Sequence, residues 1–380
     1  MNQSVSPQSI EELQHVVRTS SDTGRPIYVY RKGNNDGLTV DLSKLNKIIE
    51  IDAANLVATV SPGVKLGKLA EKLAEQGLRF IPADTPFYHD KTVGQLFYEG
   101  YSNISSLKYG YTKHFLMGSE IVLPTGEVLK TGGKTVKNVT GYDFTRFFNA
   151  PYTDYGITAK FLLKLLPLPE TRKGIAATFT VLEKLLAFVK DLKDSRVVPA
   201  YLLWSDLSVQ SIFKADVQGQ LIMMEFDGLY EEASEQSQSA SALIKKHGGT
   251  IREASDGCGQ TAIKWSMLYQ PGDKYVLTDE FKMSFTRQEE FIKAFYTITQ
   301  NSCVQAGLFG QLAEGKLNIA FAAQRPENGF VDAVIKAVSQ AGGISSGKYD
   351  RITGKHGSGV LAELEQKAKA AFDPKKILNR

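Results

Sequence analysis

Cysteine is nearly missing from this chain of 380 residues: there are two, Cys258 and Cys303, with no CxxC spacing. A zinc or iron–sulfur site needs about four soft ligands in close spacing, so none is expected to be held by this chain alone, and both thiols read as packed or idle. No stretch reaches the roughly 18 apolar residues of a membrane span. The first residues, MNQSVSPQSIEEL, lack the apolar core of a secretory signal, and a cytoplasmic protein is expected. Charge is scarce in net terms as well: 45 Lys and Arg against 41 Asp and Glu leave +4, with no polybasic tract and no basic-plus-aromatic stripe. That pattern offers a nucleic acid nothing to bind, while small anionic ligands stay compatible.

What remains is an ordinary globular composition, 42% hydrophobic and 23% charged, long enough for two or three packed units. Ser6-Pro7 ahead of Glu11 and Glu12 reads as a helix start, since Ser caps, Pro suits the first turn and acids suit the positive end of the dipole. Ile10, Leu13, Val16 and Val17 form its apolar face, and Gly24 stops it. A strand Ile27-Tyr28-Val29-Tyr30 then delivers the polar loop Arg31-Lys32-Gly33-Asn34-Asn35-Asp36. Gly, Asn and Asp tolerate left-handed backbone, so such a loop can turn successive N–H groups one way, as an anion nest requires. A plain polar turn between strands is the alternative.

Further on, KIIEIDAANLVATVSPGVKLGKLAEKLAEQG reads as strand, turn and strand, then a helix from about Lys65 with Leu66, Leu69 and Leu73 at helical spacing, ended by Gly77. Ile121 to Leu123, the turn Pro124-Thr125-Gly126 and the returning Val128-Leu129 form a β-hairpin. The segment after it, KNVTGYD, has neither strand alternation nor an apolar face. A bound ligand would explain that set of residues; a surface loop with a helix start at Asp143 would too. Gly156-Ile157-Thr158 opens an apolar strand expected to end at Pro167 and Pro169. From Lys173, strands alternate with helices: ATFTV, EKLLAFVKDL, AYLLW, QLIMMEF and Glu231–His247, then KMSFT, Gln288–Gln300, Val304–Leu312, KLNIAFAA and Val331–Ala341. Two split βαβ-type halves in an antiparallel sheet are implied, joined through a long connection at Gly257-Cys258-Gly259.

GGKTVKNVTGYD, VSPGV with its following P-x-D, ITGKHGSG and FDPKKILN together carry a family resemblance. The chain resembles the FAD-linked oxidases of the vanillyl-alcohol oxidase or PCMH-type fold, and within them the glycolate oxidase FAD-binding subunits and D-lactate dehydrogenases. The resemblance implies an α+β protein: a PCMH-type FAD-binding domain over 1–170 made of two α+β subdomains, an inserted α/β cap domain over 171–343 with an antiparallel sheet and crossing helices, and a segment 344–380 returning to the FAD domain. It implies FAD, with cofactor contacts from Arg31, Lys32, Gly33, Asn34 and Asn35; from Pro82 and Asp84; from Thr92, Val93, Gly94, Gln95, Ser102, Asn103, Tyr109 and Gly110; from Lys137, Asn138, Thr140, Gly141 and Tyr142; and from Gly156, Ile157 and Asn379. His356 would take the hydroxyl proton of a small 2-hydroxy acid as its hydride moves to flavin, with Arg351, Lys348 or Lys355 pairing the carboxylate. Iron–sulfur and paralogous FAD subunits are the implied partners. No metal is expected, since LFGQLAEGKLNIAF puts Gln311 and Glu314 where larger relatives carry a histidine string.

The sequence also departs from the pattern. Gly33 alone remains of the first glycine run, Gln95 stands for the second loop's glycine, and bulky Phe97, Tyr98, Glu99 and Tyr101 replace small residues. NAPYTDYGIT replaces a glycine-rich string. Either the flavin is held differently or side chains fill part of its pocket, and in the second case a non-catalytic subunit scaffolding a glycolate-oxidase-like complex is the alternative.

Overall fold

A computed structural model describes residues 3–31, 36–84, 88–101, 103–134, 142–150, 154–212, 219–256, 275–276, 280–302, 304–321, 328–345 and 360–379. They fall into two compact units, one of Met1–Asn103, Gly110–Leu168 and Gly357–Arg380, the other of Ile104–Tyr109 and Pro169–His356.

In the first unit the helix Ile10–Thr23 is capped by Ser9, whose Oγ accepts the Glu12 N–H at 3.1 Å, so the cap lies three residues beyond Ser6. Gly24 closes it with φ 68°. Leu13 and Val17 bury that helix against Ile27, Val29, Val40, Val122, Ile157, Ile377 and Leu378. Only Ile27 and Tyr28 form the expected strand; together with Gln3–Val5 and Leu38–Val40 they make a parallel three-stranded sheet. The chain's end joins it. Ile27 N–H donates to Ile377 at 2.6 Å, and Asn379 N–H donates back to Ile27 at 2.7 Å.

Five antiparallel strands form the main sheet of this unit, in the order Ile48–Asp52, Val57–Val60, Ile157–Lys164, Leu116–Val122, Val128–Gly132. The last two are the expected hairpin, closed by Gly126 N–H donating to Leu123 at 2.8 Å with Gly126 at φ 80°. Ile157–Lys164 alternates strictly, burying Ile157, Ala159, Phe161 and Leu163. Pro167 does not terminate this region. It lies in a short strand, Leu166–Pro167, that pairs antiparallel with Leu78–Arg79, where an edge position tolerates its missing N–H.

The second unit is one nine-stranded sheet with antiparallel pairings, running Thr250–Asp256, Thr171–Phe179, Gln220–Gly228, Tyr201–Ser205, Ala306–Gln311, Lys316–Phe321, Phe281–Lys282, Ile344–Ser345, with Tyr275–Val276 also beside Lys316–Phe321. Its long central register runs from Thr171 opposite Gly228 to Phe179 opposite Gln220. Helices Leu182–Asp194, Tyr230–Lys246, Phe285–Gln300 and Asn328–Gln340 cover one face, burying Phe179, Phe188, Trp204, Phe226, Phe291 and Phe295. The other face carries Tyr201, Leu203, Met223 and Phe309 under Ile104 and Tyr109. KMSFT contributes only its first residue to a strand, because Phe285 already begins a helix. The expected connection at 257–259 and Cys303 lie outside the described residues.

Candidate cofactor site

Within the first unit, the end of the Ile27–Tyr28 strand, the helix Val93–Tyr98, the strand from Ile157 and the chain's last residues converge on one cavity of about 40 Å³. Space of that size holds about three waters. Val29, Tyr30, Gly94, Phe97, Tyr98, Asp154, Gly156, Ile157 and Asn379 are among its walls.

Tyr30 enters it from a left-handed backbone, φ 59°, which costs a bulky residue roughly 1–3 kcal/mol and persists only where the surroundings enforce it. Part of that enforcement is visible: the preceding Val29 N–H donates to Asn379 Oδ1 at 2.8 Å. The Tyr30 ring tilts against Tyr98, centroids 5.0 Å apart, and Phe97 stacks on Phe161 at 5.1 Å. Burial pushes the Tyr30 phenol far above its ordinary pKa. Tyr98 rises too, first by burial and then by the charge of Asp154.

Asp154 joins four elements. Tyr98 Oη donates to its Oδ1 at 3.2 Å, Asn379 Nδ2 donates to the same oxygen at 2.5 Å, and Arg31 approaches Oδ2 at 3.4 Å. Lys369 donates to the carbonyls of Asp154 at 2.6 Å and Leu378 at 2.8 Å. Burial raises the Asp154 carboxyl above its usual pKa, and Arg31 pulls in the opposite direction.

The motif FDPKKILN is accounted for by the same corner. Buried Asp373 accepts the N–H groups of Ile377 and Leu378, each at 2.9 Å, and pairs with Lys369 at 2.9 Å. This folds the end of the helix Val360–Phe372 back so that Asn379, at φ 47°, reaches the cavity. Asn379, Gly94, Gly156 and Ile157 of the sequence-derived set therefore line one space, with Arg31 at its edge.

Others of that set have different surroundings. Thr92 and Gln95 cap the helix Val93–Tyr98 reciprocally, Gln95 N–H to Thr92 Oγ1 at 3.2 Å and Thr92 N–H to Gln95 Oε1 at 3.0 Å. Val93 is core. Pro82 lies in a buried turn, and Asp84 pairs with Arg79 at 3.2 Å. Asn103 donates to the Gly110 carbonyl at 2.9 Å, and its buried Oδ1 has no hydrogen-bond partner among the described residues. Tyr109 belongs to the second unit, where its hydroxyl donates to buried Asp227 at 2.7 Å. Tyr142 is 86% exposed, its ring edge against Phe144. Lys32, Gly33, Asn34, Asn35, Ser102, Lys137, Asn138, Thr140 and Gly141, together with Lys348, Arg351, Lys355 and His356, lie outside the described residues.

Sequence reasoning did not assign Tyr30, Asp154 or Lys369 to the site. The bulk of Phe97 and Tyr98 was the available signal, and both residues line the cavity.

The comparisons fit this fold. The FAD binding domain family matches residues 2–132, and the family FAD linked oxidases, C-terminal domain, matches 168–380. The chain belongs to the FAD-linked oxidases, and its cofactor is FAD. It is 28% identical to "Glycolate oxidase subunit GlcD" of Bacillus subtilis (strain 168), over 99% of this chain and 87% of that one. It is 26% identical to "D-lactate dehydrogenase" of Anaerostipes hadrus, over 90% and 79%. Among solved structures, 4-ethylphenol oxidase from Gulosibacter chungangensis shares the fold with a TM-score of 0.75 at 15% identity, covering 99% of this chain and 88% of that one. A p-cresol methylhydroxylase does so at 0.70 and 16%, covering 98% and 87%. The PCMH-type α+β fold is therefore established.

The described residues do not fit a dinucleotide in this conformation. At the first turn of Val93–Tyr98, Val93 N–H donates to Val64 at 2.9 Å, Gly94 N–H donates to Pro62 at 2.8 Å and Gln95 N–H is held by Thr92, which leaves a diphosphate no donor there. A Cβ on Gly94 would meet Tyr30 Oη at 1.8 Å, and one on Gly156 would meet Ile121 Cγ2 at 2.5 Å. Both glycines are thus demanded by the protein's own side chains, and the cavity's carboxylate repels phosphate. Among the described residues no helix is long and apolar enough to cross a membrane, and no group of three or more His, Cys, Asp or Glu is placed to hold a metal.

Proposed function

We propose that this FAD-linked oxidoreductase oxidises a small 2-hydroxy acid of the glycolate or lactate type, as one subunit of a cytoplasmic assembly that passes electrons to an iron–sulfur partner beside a paralogous FAD subunit. The observation that carries the reading is similarity along 99% of the chain to a glycolate oxidase subunit, with a D-lactate dehydrogenase matching over 90%. When bound, FAD supplies the acceptor for the substrate's Cα hydride. On this chain, His356 is assigned the hydroxyl proton, since an imidazole with a pKa of about 6.5 suits a base at neutral pH. Arg351 and Lys355 are assigned the carboxylate, which cations hold by charge-assisted hydrogen bonds. The domain division at residues 170 and 343 belongs to the same proposal.

Anaerobic addition of glycolate, D-lactate or L-lactate to the flavin-loaded protein tests it. Bleaching of the flavin absorbance by at least one acid is expected. A spectrum unmoved by all three removes the hydroxy-acid assignment.

A further inference from the structure

The first unit carries an aromatic patch that its cavity does not use and that lies open to solvent. Tyr142, Phe144 and Phe147 are 86%, 45% and 39% exposed, and their rings meet edge to face at 6.2 and 6.4 Å along the helix Phe144–Phe148. Phe147 continues the patch to Phe372, 5.7 Å away at the end of the helix Val360–Phe372. That second helix is bare over more than a turn: Glu363 to Lys367 are all exposed, where one turn takes 3.6 residues. Its apolar pair Val360 and Leu364, one turn apart on the same face, is 73% and 55% exposed. Helices draw most of their stability from packing such a face, so this turn lacks the cover that would hold it. Contiguous exposed apolar groups of this kind mark an interaction surface, where scattered single ones do not.

Charge divides across the patch. Beside the helix Phe144–Phe148, Arg146 pairs with Asp143 at 3.3 Å, and His114 lies close enough to Arg146, Lys113 and Lys164 for all three cations to lower its pKa, after desolvation. On the helix Val360–Phe372, Glu363 and Glu365 are exposed, with Lys367 the one cation among those five bare residues. Glu365 is near enough to Tyr155 to raise its phenol, after burial, and the Tyr155 ring stacks on Phe147 at 5.1 Å. The rings thus link a basic end to an acidic one. Such a face is complementary to itself: about a two-fold axis through the rings, the cations of one copy meet the carboxylates of the other, as an isologous interface demands. We propose that two copies of this chain pair through the patch, with Phe144, Phe147 and Leu364 as the apolar centre and the basic end of each copy facing the acidic end of the other. The proposal goes beyond the hydroxy-acid reading and is tested on mass alone, so either can fail without the other.

Sedimentation velocity on the full-length, flavin-loaded chain over a rising concentration series provides the test. A species of twice 41.8 kDa should grow with concentration and recede in high salt, which screens the crossed charges. Two charge-reversed forms decide the geometry, one with Glu363→Lys and Glu365→Lys, the other with Lys113→Glu and Lys164→Glu. Each alone should pair about tenfold more weakly or worse, because like charges then face each other. Mixed in equal amounts, the two should pair with one another, since the mixture restores opposite signs at both contacts. Leu364→Gln removes exposed apolar area without changing charge; it should weaken pairing about tenfold, and it serves alone if the reversed forms do not fold. A wild type that is monomeric at every concentration, reversed forms that pair as well as the wild type, a mixture that stays monomeric, or undiminished pairing of Leu364→Gln each overturns the proposal. Monomers that instead sediment with anionic lipid vesicles would give the face to a membrane surface and overturn it as well.

Discussion

Asp154 and Asn379, 225 residues apart in the chain, are joined by a hydrogen bond of 2.5 Å from Nδ2 to Oδ1. The same asparagine takes the Val29 N–H on its other atom, so one side chain near the terminus fixes both the strand end that launches Tyr30 and the carboxylate that latches Tyr98. Asn379→Ala strands a half-buried backbone donor and an acceptor, and a loss of about 1–3 kcal/mol is expected. Urea unfolding measures it, and faster proteolysis of the last residues should accompany it.

Asp154 gives a pH signature. Its folded pKa lies above the ordinary 3.8, chiefly through burial, so its contribution to stability is full below that ordinary value and declines as pH rises through the raised one. Asp154→Asn removes the buried charge, and half-exposed Arg31 loses little by it. The variant should unfold at a higher temperature than wild type at pH 7.5 and lose that advantage at pH 4. An advantage of equal size at both pH values would contradict the assignment.

Gly94 and Tyr30 should be coupled. Gly94→Ala drives a methyl into the phenol and should cost about 1–3 kcal/mol by overpacking. In a Tyr30→Gly background most of that cost should vanish, leaving Pro62 Cβ, 3.0 Å from the new methyl. A double-mutant cycle in urea reads the difference directly; additive effects would mean that the two residues do not share the space.

In the second unit, Lys316 is 1% exposed and its ammonium lies 2.9 Å from Ser106 Oγ and 3.2 Å from Glu314 Oε1. Burial, more than any neighbour, lowers its pKa. Lys316→Met leaves the Glu314 carboxylate buried without its cation, and about 3–5 kcal/mol should be lost. Adding Glu314→Leu should restore most of the stability, as thermal unfolding will show.

His356→Ala should abolish substrate-driven flavin bleaching while the bound flavin, counted by absorbance at constant protein, is retained. Loss of the flavin itself would make the residue structural.

Local elements were readable because local rules decide them. The hairpin at Pro124-Thr125-Gly126, the helix from Lys65 and the alternating strand from Ile157 follow from turn chemistry and periodicity. The helix cap at Ser9 and the strand at Pro167 were misplaced, since either serine can cap and only the partner strand Leu78–Arg79 shows that Pro167 sits at an edge. Motif likeness brought Gly94, Gly156, Ile157 and Asn379 to one place, yet it could not tell whether the glycines make room for a ligand or for Tyr30 and Ile121.

By itself the amino-acid order determined the family, the α+β class and the positions where bulky side chains replace small ones, because composition, spacing and turn residues are properties of neighbours along the chain. Tertiary structure alone decided that Tyr30 faces Gly94 and that Asp154 gathers Arg31, Tyr98 and Asn379. Those pairings span 56 to 225 residues and hold through packing and hydrogen bonds between separate elements, which no local pattern encodes.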